Sequence, residues 1–280
     1  MTAVLITVDE LRDRLAAGQR TVLLDVRWQL GDPHGRDHYL REHLPGAVYV
    51  DLETELAAPP SPAAGRHPLP ELADLQAAAR RWGVRSGDTC VAYDDVGGTS
   101  AARAWWLLRW AGVEDVRILD GGLAAWRVAG APLADGDVVA EPGDVQLHPG
   151  GMPAIEADDV DGVAARGVLL DARAGERYRG EVEPVDPRAG HIPGALSAPT
   201  TDNLGPDGRF LDAERLRERF ADLTVDGTRP VAVYCGSGVT AAHEIAALAV
   251  AGIDAALYPG SWSQWSNDPH RPAVTSAQPH

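Results

Sequence analysis

Cysteine is nearly absent from this chain. Two residues in 280 cannot build a disulfide framework, and neither belongs to a Cys/His cluster with zinc spacing. A reducing cytoplasm, with no structural metal and no organic cofactor, is the expectation. Long apolar runs are missing too. The most apolar later stretch, roughly Ala241 to Leu257, is broken by His243, Glu244 and Asp254 before it reaches the about 18 residues a membrane span requires. At the start, MTAVLITVDELRDRL runs from a short apolar stretch straight into Asp9 and Glu10. With no basic leader and no small-residue cleavage site, it does not support a secretory signal. Positive charge is the third deficit: 25 Lys+Arg face 41 Asp+Glu, a formal net charge of −16. No basic run makes a local exception, so nucleic acid and anionic membranes are not expected partners.

What is present has an ordinary globular composition, 45% hydrophobic and 24% charged, on a length that fits about two domains of roughly 150 residues. Laid on itself, the chain repeats. VLLDVRW (22–28), EHLPGA (42–47), CVAYDD, TSAAR (99–103) and ILDGGLAAW recur in order as VLLDAR (168–173), GHIPGA (190–195), VAVYC, VTAAH (239–243) and LYPGSWSQW. The offsets are 146 residues for Asp25 against Asp171, 148 for His43 against His191, and 140 for Ser100 against Thr240. Five blocks in register describe a degenerate duplication.

Each half alternates strand and helix patterns. Thr7-x-x-Glu10 is a capping box opening a helix that ends near Gly18, and TVLLDV reads as a buried parallel strand. Helical stretches follow at 70–82 and 100–111, with strands at CVAYDD and VRILDG. The expected fold is α/β: two tandem domains, each a parallel sheet flanked by helices. The expected boundaries are 1–130, a Gly/Pro/Asp-rich linker at 131–152, a second domain at 153–270 and a loose tail at 271–280.

The chemistry concentrates after the strand VAVY, in Cys235-Gly236-Ser237-Gly238-Val239-Thr240. A glycine-bearing strand-to-helix turn aims successive backbone N–H groups inward, and the helix N-terminus adds partial positive charge. Such a cradle stabilises a thiolate, or a persulfide on the same sulfur. A lone buried cysteine is more often a small hydrophobe, but core packing has no use for two glycines and two hydroxyls behind it. Cys90, which begins a strand with no such loop, reads as structural.

With its duplicated domain, GHIPGA block, CGSGVTA loop and closing GSWSQW, the sequence resembles the tandem rhodanese family of sulfurtransferases over nearly its whole length. The resemblance implies that Cys235 takes sulfane sulfur from a small-molecule donor and passes it to cyanide, a small thiol or a thioredoxin-like protein. Residues Gly236, Gly238, Val239 and Thr240 would form the cradle. It also implies donor contacts at Arg177 and Arg188, with Arg179 competing, and a relay of Ser237 with His43 and Asp37. A histidine in such a block also reads as a turn residue bonded to backbone. The small polar loop resembles members preferring 3-mercaptopyruvate, whereas thiosulfate users carry two cations there. Tyr93-Asp94-Asp95 replaces Tyr234-Cys235 in the first half, so that domain reads as non-catalytic. Two alternatives stay open or nearly closed. A persulfide carrier loaded by a protein partner would need the same cysteine, while Cys-based phosphatases of similar architecture need Cys-x5-Arg, and position 241 is Ala.

Overall fold

A computed structural model describes residues 3–276 of the protein. Chain contacts divide it into two units, and they are not contiguous halves. The first comprises the chain up to Ala58, Pro70–Met152 and Pro206–Phe210; the second comprises Pro59–Leu69, Pro153–Gly205 and the chain from Leu211 onward.

In the first unit, strands β1 (Leu5–Ile6), β2 (Thr21–Asp25), β3 (Val48–Tyr49), β4 (Thr89–Tyr93) and β5 (Asp115–Leu119) form one sheet in the order β1-β5-β4-β2-β3. Every pairing is parallel. Its helices are α1 (Val8–Ala16), α2 (Gly35–Arg41), α3 (Leu52–Glu55), α4 (Leu72–Arg81), α5 (Ala101–Trp110) and α6 (Gly122–Val128). The capping box forms as the sequence predicts, with Thr7 and Glu10 each bonding the other's backbone. All of β4 is buried, as a strand covered on both faces must be. On α5, Trp105 and Trp106 are buried.

The second unit repeats this plan with one strand fewer. Strands β6 (Val168–Asp171), β7 (Ala195–Ser197), β8 (Val231–Tyr234) and β9 (Ala256–Leu257) order as β7-β6-β8-β9, again all parallel. A lone parallel bridge from Ala154 to Leu257 holds the place that β1 fills in the first sheet. Helices α7 (Val160–Arg166), α8 (Gly175–Tyr178), α9 (Ala213–Asp222), α10 (Thr240–Ala251) and α11 (Ser261–Trp265) complete it.

The duplication extends to single hydrogen bonds. Tyr93 Oη accepts from Leu44 N at 3.0 Å, and Tyr234 Oη accepts from Ile192 N at 3.1 Å. Buried Arg27 pairs with Asp25 at 2.8 Å, and buried Arg173 with Asp171 at 2.6 Å. The stretch 131–152 holds no helix or strand, yet it is tied down rather than loose. Gly143 N donates to Arg80 O, Val145 N to Val84 O and His148 N to Ala111 O, and Val145 and Leu147 are buried. The expected tail is fixed as far as Val274, which exchanges backbone hydrogen bonds with His191; residues 277–280 lie outside the described residues.

Candidate active site

Cys235 sits at the carboxyl end of β8. The chain leaves β6 toward β7 on one side and β8 toward β9 on the other, so the gap between β6 and β8 is where strand order reverses. Ligands of open parallel sheets collect at such a point, outside the carboxyl ends of the strands. Residues 235–239 turn from the strand into α10, and Gly238, at φ 78°, supplies the left-handed step. That turn brings Gly238 N–H to 3.1 Å from Cys235 Sγ, to which it donates. The loop is held from behind by α11. Cys235 N donates to Ser261 Oγ at 3.1 Å, while Trp262 N and Ser263 N donate to the carbonyls of Cys235 and Gly236, each at 2.9 Å. The GSWSQW motif therefore braces the cysteine loop through backbone bonds, with Trp262 buried beneath it.

Two guanidinium groups face the loop. A Cβ on Gly236 would lie 3.0 Å from Arg66 Nη2 and 3.4 Å from Arg177 Nη1, which explains the glycine. Arg177 belongs to α8, and its Nη2 donates to Glu183 Oε1 at 2.6 Å and to Asp186 Oδ2 at 3.2 Å. Arg66 comes from 59–69; its Nη1 donates to Asp186 Oδ1 and its backbone N to Ser263 Oγ at 3.0 Å. The Nε atoms of both arginines are buried without a hydrogen-bond partner. Burial pushes the Asp186 carboxyl above its ordinary range, opposed by the two arginines beside it. Next to Arg66, His67 Nδ1 lies 2.7 Å from Ser237 Oγ, and both residues are buried. An open cavity of about 470 Å³, lined by Pro60, Pro62, Arg66, Asp186, Ser263 and Asn267, adjoins the arginine pair. Among the described residues no group of three or more His, Cys, Asp or Glu is placed to hold a metal ion.

The Rhodanese-like domain pattern matches residues 7–129 and again 155–268. The chain belongs to the rhodanese family. Over 275 residues it is 50% identical to a protein of Mycobacterium tuberculosis provisionally named thiosulfate sulfurtransferase SseB, covering 96% of each chain. It is 49% identical to a Pseudomonas aeruginosa protein provisionally named 3-mercaptopyruvate sulfurtransferase, covering 98% of this chain and 99% of the other. The crystal structure of SseA from Escherichia coli, described as a 3-mercaptopyruvate sulfotransferase, superposes with a TM-score of 0.83 at 33% identity, covering 93% of this chain and 99% of that one. The protein is a tandem-domain sulfurtransferase of this family.

Within this rhodanese framework the loop residues and Arg177 lie together as the sequence suggests, while His43, Asp37 and Arg188 lie elsewhere. Val239 is buried at the entry to α10, and Thr240 is its half-buried first residue. His43 is committed within its own unit. Its Nδ1 bonds Tyr39 O at 3.0 Å, its ring stacks on Tyr39 at 4.3 Å, and its Nε2 is buried without a hydrogen-bond partner. The repeat equivalent His191 does the same with Tyr178, at 2.8 Å to its carbonyl and 3.7 Å between rings. In both halves the histidine of the His-x-Pro-Gly-Ala block is a turn residue. Asp37 is exposed on α2, paired with His34 at 3.1 Å. The histidine against Ser237 is His67 instead.

Arg188 is likewise committed elsewhere. Its guanidinium donates to four backbone carbonyls, those of Ser266, Arg271, Trp265 and Asp268, all within 2.8 Å. Arg179 is exposed and paired with Glu181. The second guanidinium beside Arg177 is Arg66. A signal for both missed residues does exist in the sequence: Gly65-Arg66-His67 recurs as Gly208-Arg209-Phe210, 143 residues on. These two segments lie at equivalent places in the repeats, and each groups with the other half's unit.

The first rhodanese repeat fills its own cradle. Asp94 stands where Cys235 does, and its carboxylate accepts from Val96 N at 2.9 Å and Gly98 N at 2.8 Å on Oδ1. On Oδ2 it accepts from Ser100 N at 2.8 Å and Ala101 N at 2.9 Å. Complete burial pushes this acid's pKa up while the four N–H groups pull it down.

Proposed function

We propose that the protein moves sulfane sulfur from 3-mercaptopyruvate to a thiol or cyanide through a persulfide on Cys235. One observation carries this reading. The Cys235 loop holds backbone donors and no cation of its own, while two guanidinium groups, Arg66 and Arg177, stand against Gly236 from outside the loop. That is the layout for a donor whose carboxylate and keto oxygens are gripped by planar donors and whose sulfur alone enters the cradle.

In the first step the Cys235 thiolate attacks the donor's sulfur. The new S–S bond forms as the donor's C–S bond breaks, and the electron pair leaves with carbon as the enolate of pyruvate. The enolate takes up the proton from the transferred sulfur, and the Ser237 hydroxyl, bonded to His67, is the relay at hand. The persulfide anion is then held by the Gly238 N–H and the start of α10. In the second step an acceptor thiolate or cyanide attacks the outer sulfur and the Cys235 thiolate leaves. The first repeat has no thiol at its cradle and takes no part in sulfur transfer. Among the described residues, no helix is long and apolar enough to cross a membrane.

The second donor is thiosulfate, the one named for the Mycobacterium tuberculosis relative. Thiocyanate formation from cyanide decides between them when initial rates with each donor are compared for wild type and Cys235→Ser. The expected result is faster turnover with 3-mercaptopyruvate, abolished by the substitution. Faster turnover with thiosulfate reverses the donor assignment, and activity retained by Cys235→Ser removes the persulfide.

A further inference from the structure

Arg66 and Arg177 are not free cations. Asp186 bonds both of them, through Oδ1 to Arg66 and Oδ2 to Arg177, and Glu183 bonds Arg177 and also reaches Arg173 Nη1 at 3.4 Å. Arg173 is in turn held by Asp171. Three guanidinium groups thus face three carboxylates, and the acid side chains are at most 4% exposed. The cluster against Gly236 offers directed N–H donors with no surplus positive charge. Each buried carboxylate repels an incoming anion with little solvent screening, and the repulsion doubles for a dianion.

We propose that Asp186 sets the charge class of the sulfur donor, admitting a donor that brings one carboxylate and discriminating against one that brings two charges. It neutralises the guanidinium edges that a donor's anionic head would use, so a monoanion brings one uncompensated negative charge to a balanced cluster, whereas a dianion brings two. The backbone N–H of Asp186 itself bonds Glu183 Oε1 at 3.1 Å, which fixes the loop that presents the carboxylate. This inference rests on the reading of an anionic donor at Cys235 and deepens it to a residue that selects among donors.

Asp186→Asn keeps the shape and removes the charge. The expected result is a rise of about tenfold in kcat/KM for thiosulfate, with 3-mercaptopyruvate changed by less than about threefold. Binding is read separately, by calorimetry with sulfate and with pyruvate on Cys235→Ser and on Cys235→Ser/Asp186→Asn. The sulfate Kd is expected to fall about tenfold and the pyruvate Kd much less. Since the binding arm needs no turnover, it decides the matter even if Cys235 proves not to carry sulfur. A parallel loss for both donors, or sulfate and pyruvate moving together, overturns the proposal and leaves Asp186 as a residue that merely positions Arg66. Asp186→Ser removes the same charge and is read the same way where Asp186→Asn folds poorly, as a urea midpoint shows.

Discussion

Arginines in this molecule differ by what already occupies their donors. Arg188 has committed four of its five N–H groups to carbonyls around the end of α11, so it ties the chain after Trp265 to the unit and has no bidentate edge left for a small molecule. Arg177 keeps a buried Nε without a partner and stands beside Gly236. The two therefore separate under the same substitution. Arg188→Lys is expected to cost about 1–3 kcal/mol of stability, because partly buried carbonyls lose their donors, with KM for 3-mercaptopyruvate little changed. Arg177→Lys is expected to raise that KM by about tenfold or more, since an ammonium cannot reproduce a planar bidentate grip, and to lower the urea midpoint as well, because buried Glu183 and Asp186 lose part of their partner. Urea titrations and initial rates on the two variants check the pair, and a KM effect from Arg188→Lys would return it to the donor site.

The strand ends carry the next contrast. At the carboxyl end of β2, Asp25 holds Arg27 through one oxygen, and its other oxygen is buried without a partner; at the end of β6, Asp171 takes Arg173 through both. Burial, outweighing the help from Arg27, pushes Asp25 up from 3.8 to about 6. A carboxyl raised by folding favours the native state most while protonated: its contribution is complete below the unfolded value of 3.8 and is lost as pH rises through about 6. Asp25 should thus add about 1 kcal/mol of stability at pH 5 relative to pH 7. Urea unfolding of wild type and Asp25→Asn at the two pH values isolates this contribution, which should vanish in the variant. An equal pH response in both would show that Asp25 is ionised throughout.

At the scale of the whole molecule, a framework present twice holds a thiol in one cradle and a carboxylate in the other. Asp94 has taken the four N–H groups of the first cradle, and the remaining cysteine, Cys90, is buried within β4, where desolvation pushes its thiol up to about 12, with Asp88 and Asp115 acting in the same direction. Incubation with excess donor followed by removal of small molecules should therefore add one sulfur atom per chain by mass. The added sulfur should be absent from Cys235→Ser and unaffected by Cys90→Ala. Two sulfurs per chain would mean that Cys90 is reached. The net charge of −16 has no counterpart at the site, where the cations and acids balance residue for residue.

The sequence by itself determined the duplication, the parallel sheets and the place of the Cys235 loop. Those properties are local: a buried strand such as VAVY is a continuous apolar run, a capping box is three residues apart, and the Cys235 loop lies between its own strand and helix. The block histidines His43 and His191 were equally visible, but visibility does not fix a partner. Only the tertiary structure decided that His67, 170 residues away, meets Ser237 and that Arg66 stands beside Arg177. It likewise decided that Arg188 turns to backbone carbonyls. Polar partnerships over such separations depend on the path of the chain, here the grouping of 59–69 with the second unit. Hydrophobic periodicity says which face of an element is buried, but not which distant hydroxyl or carboxylate an arginine or histidine will find there.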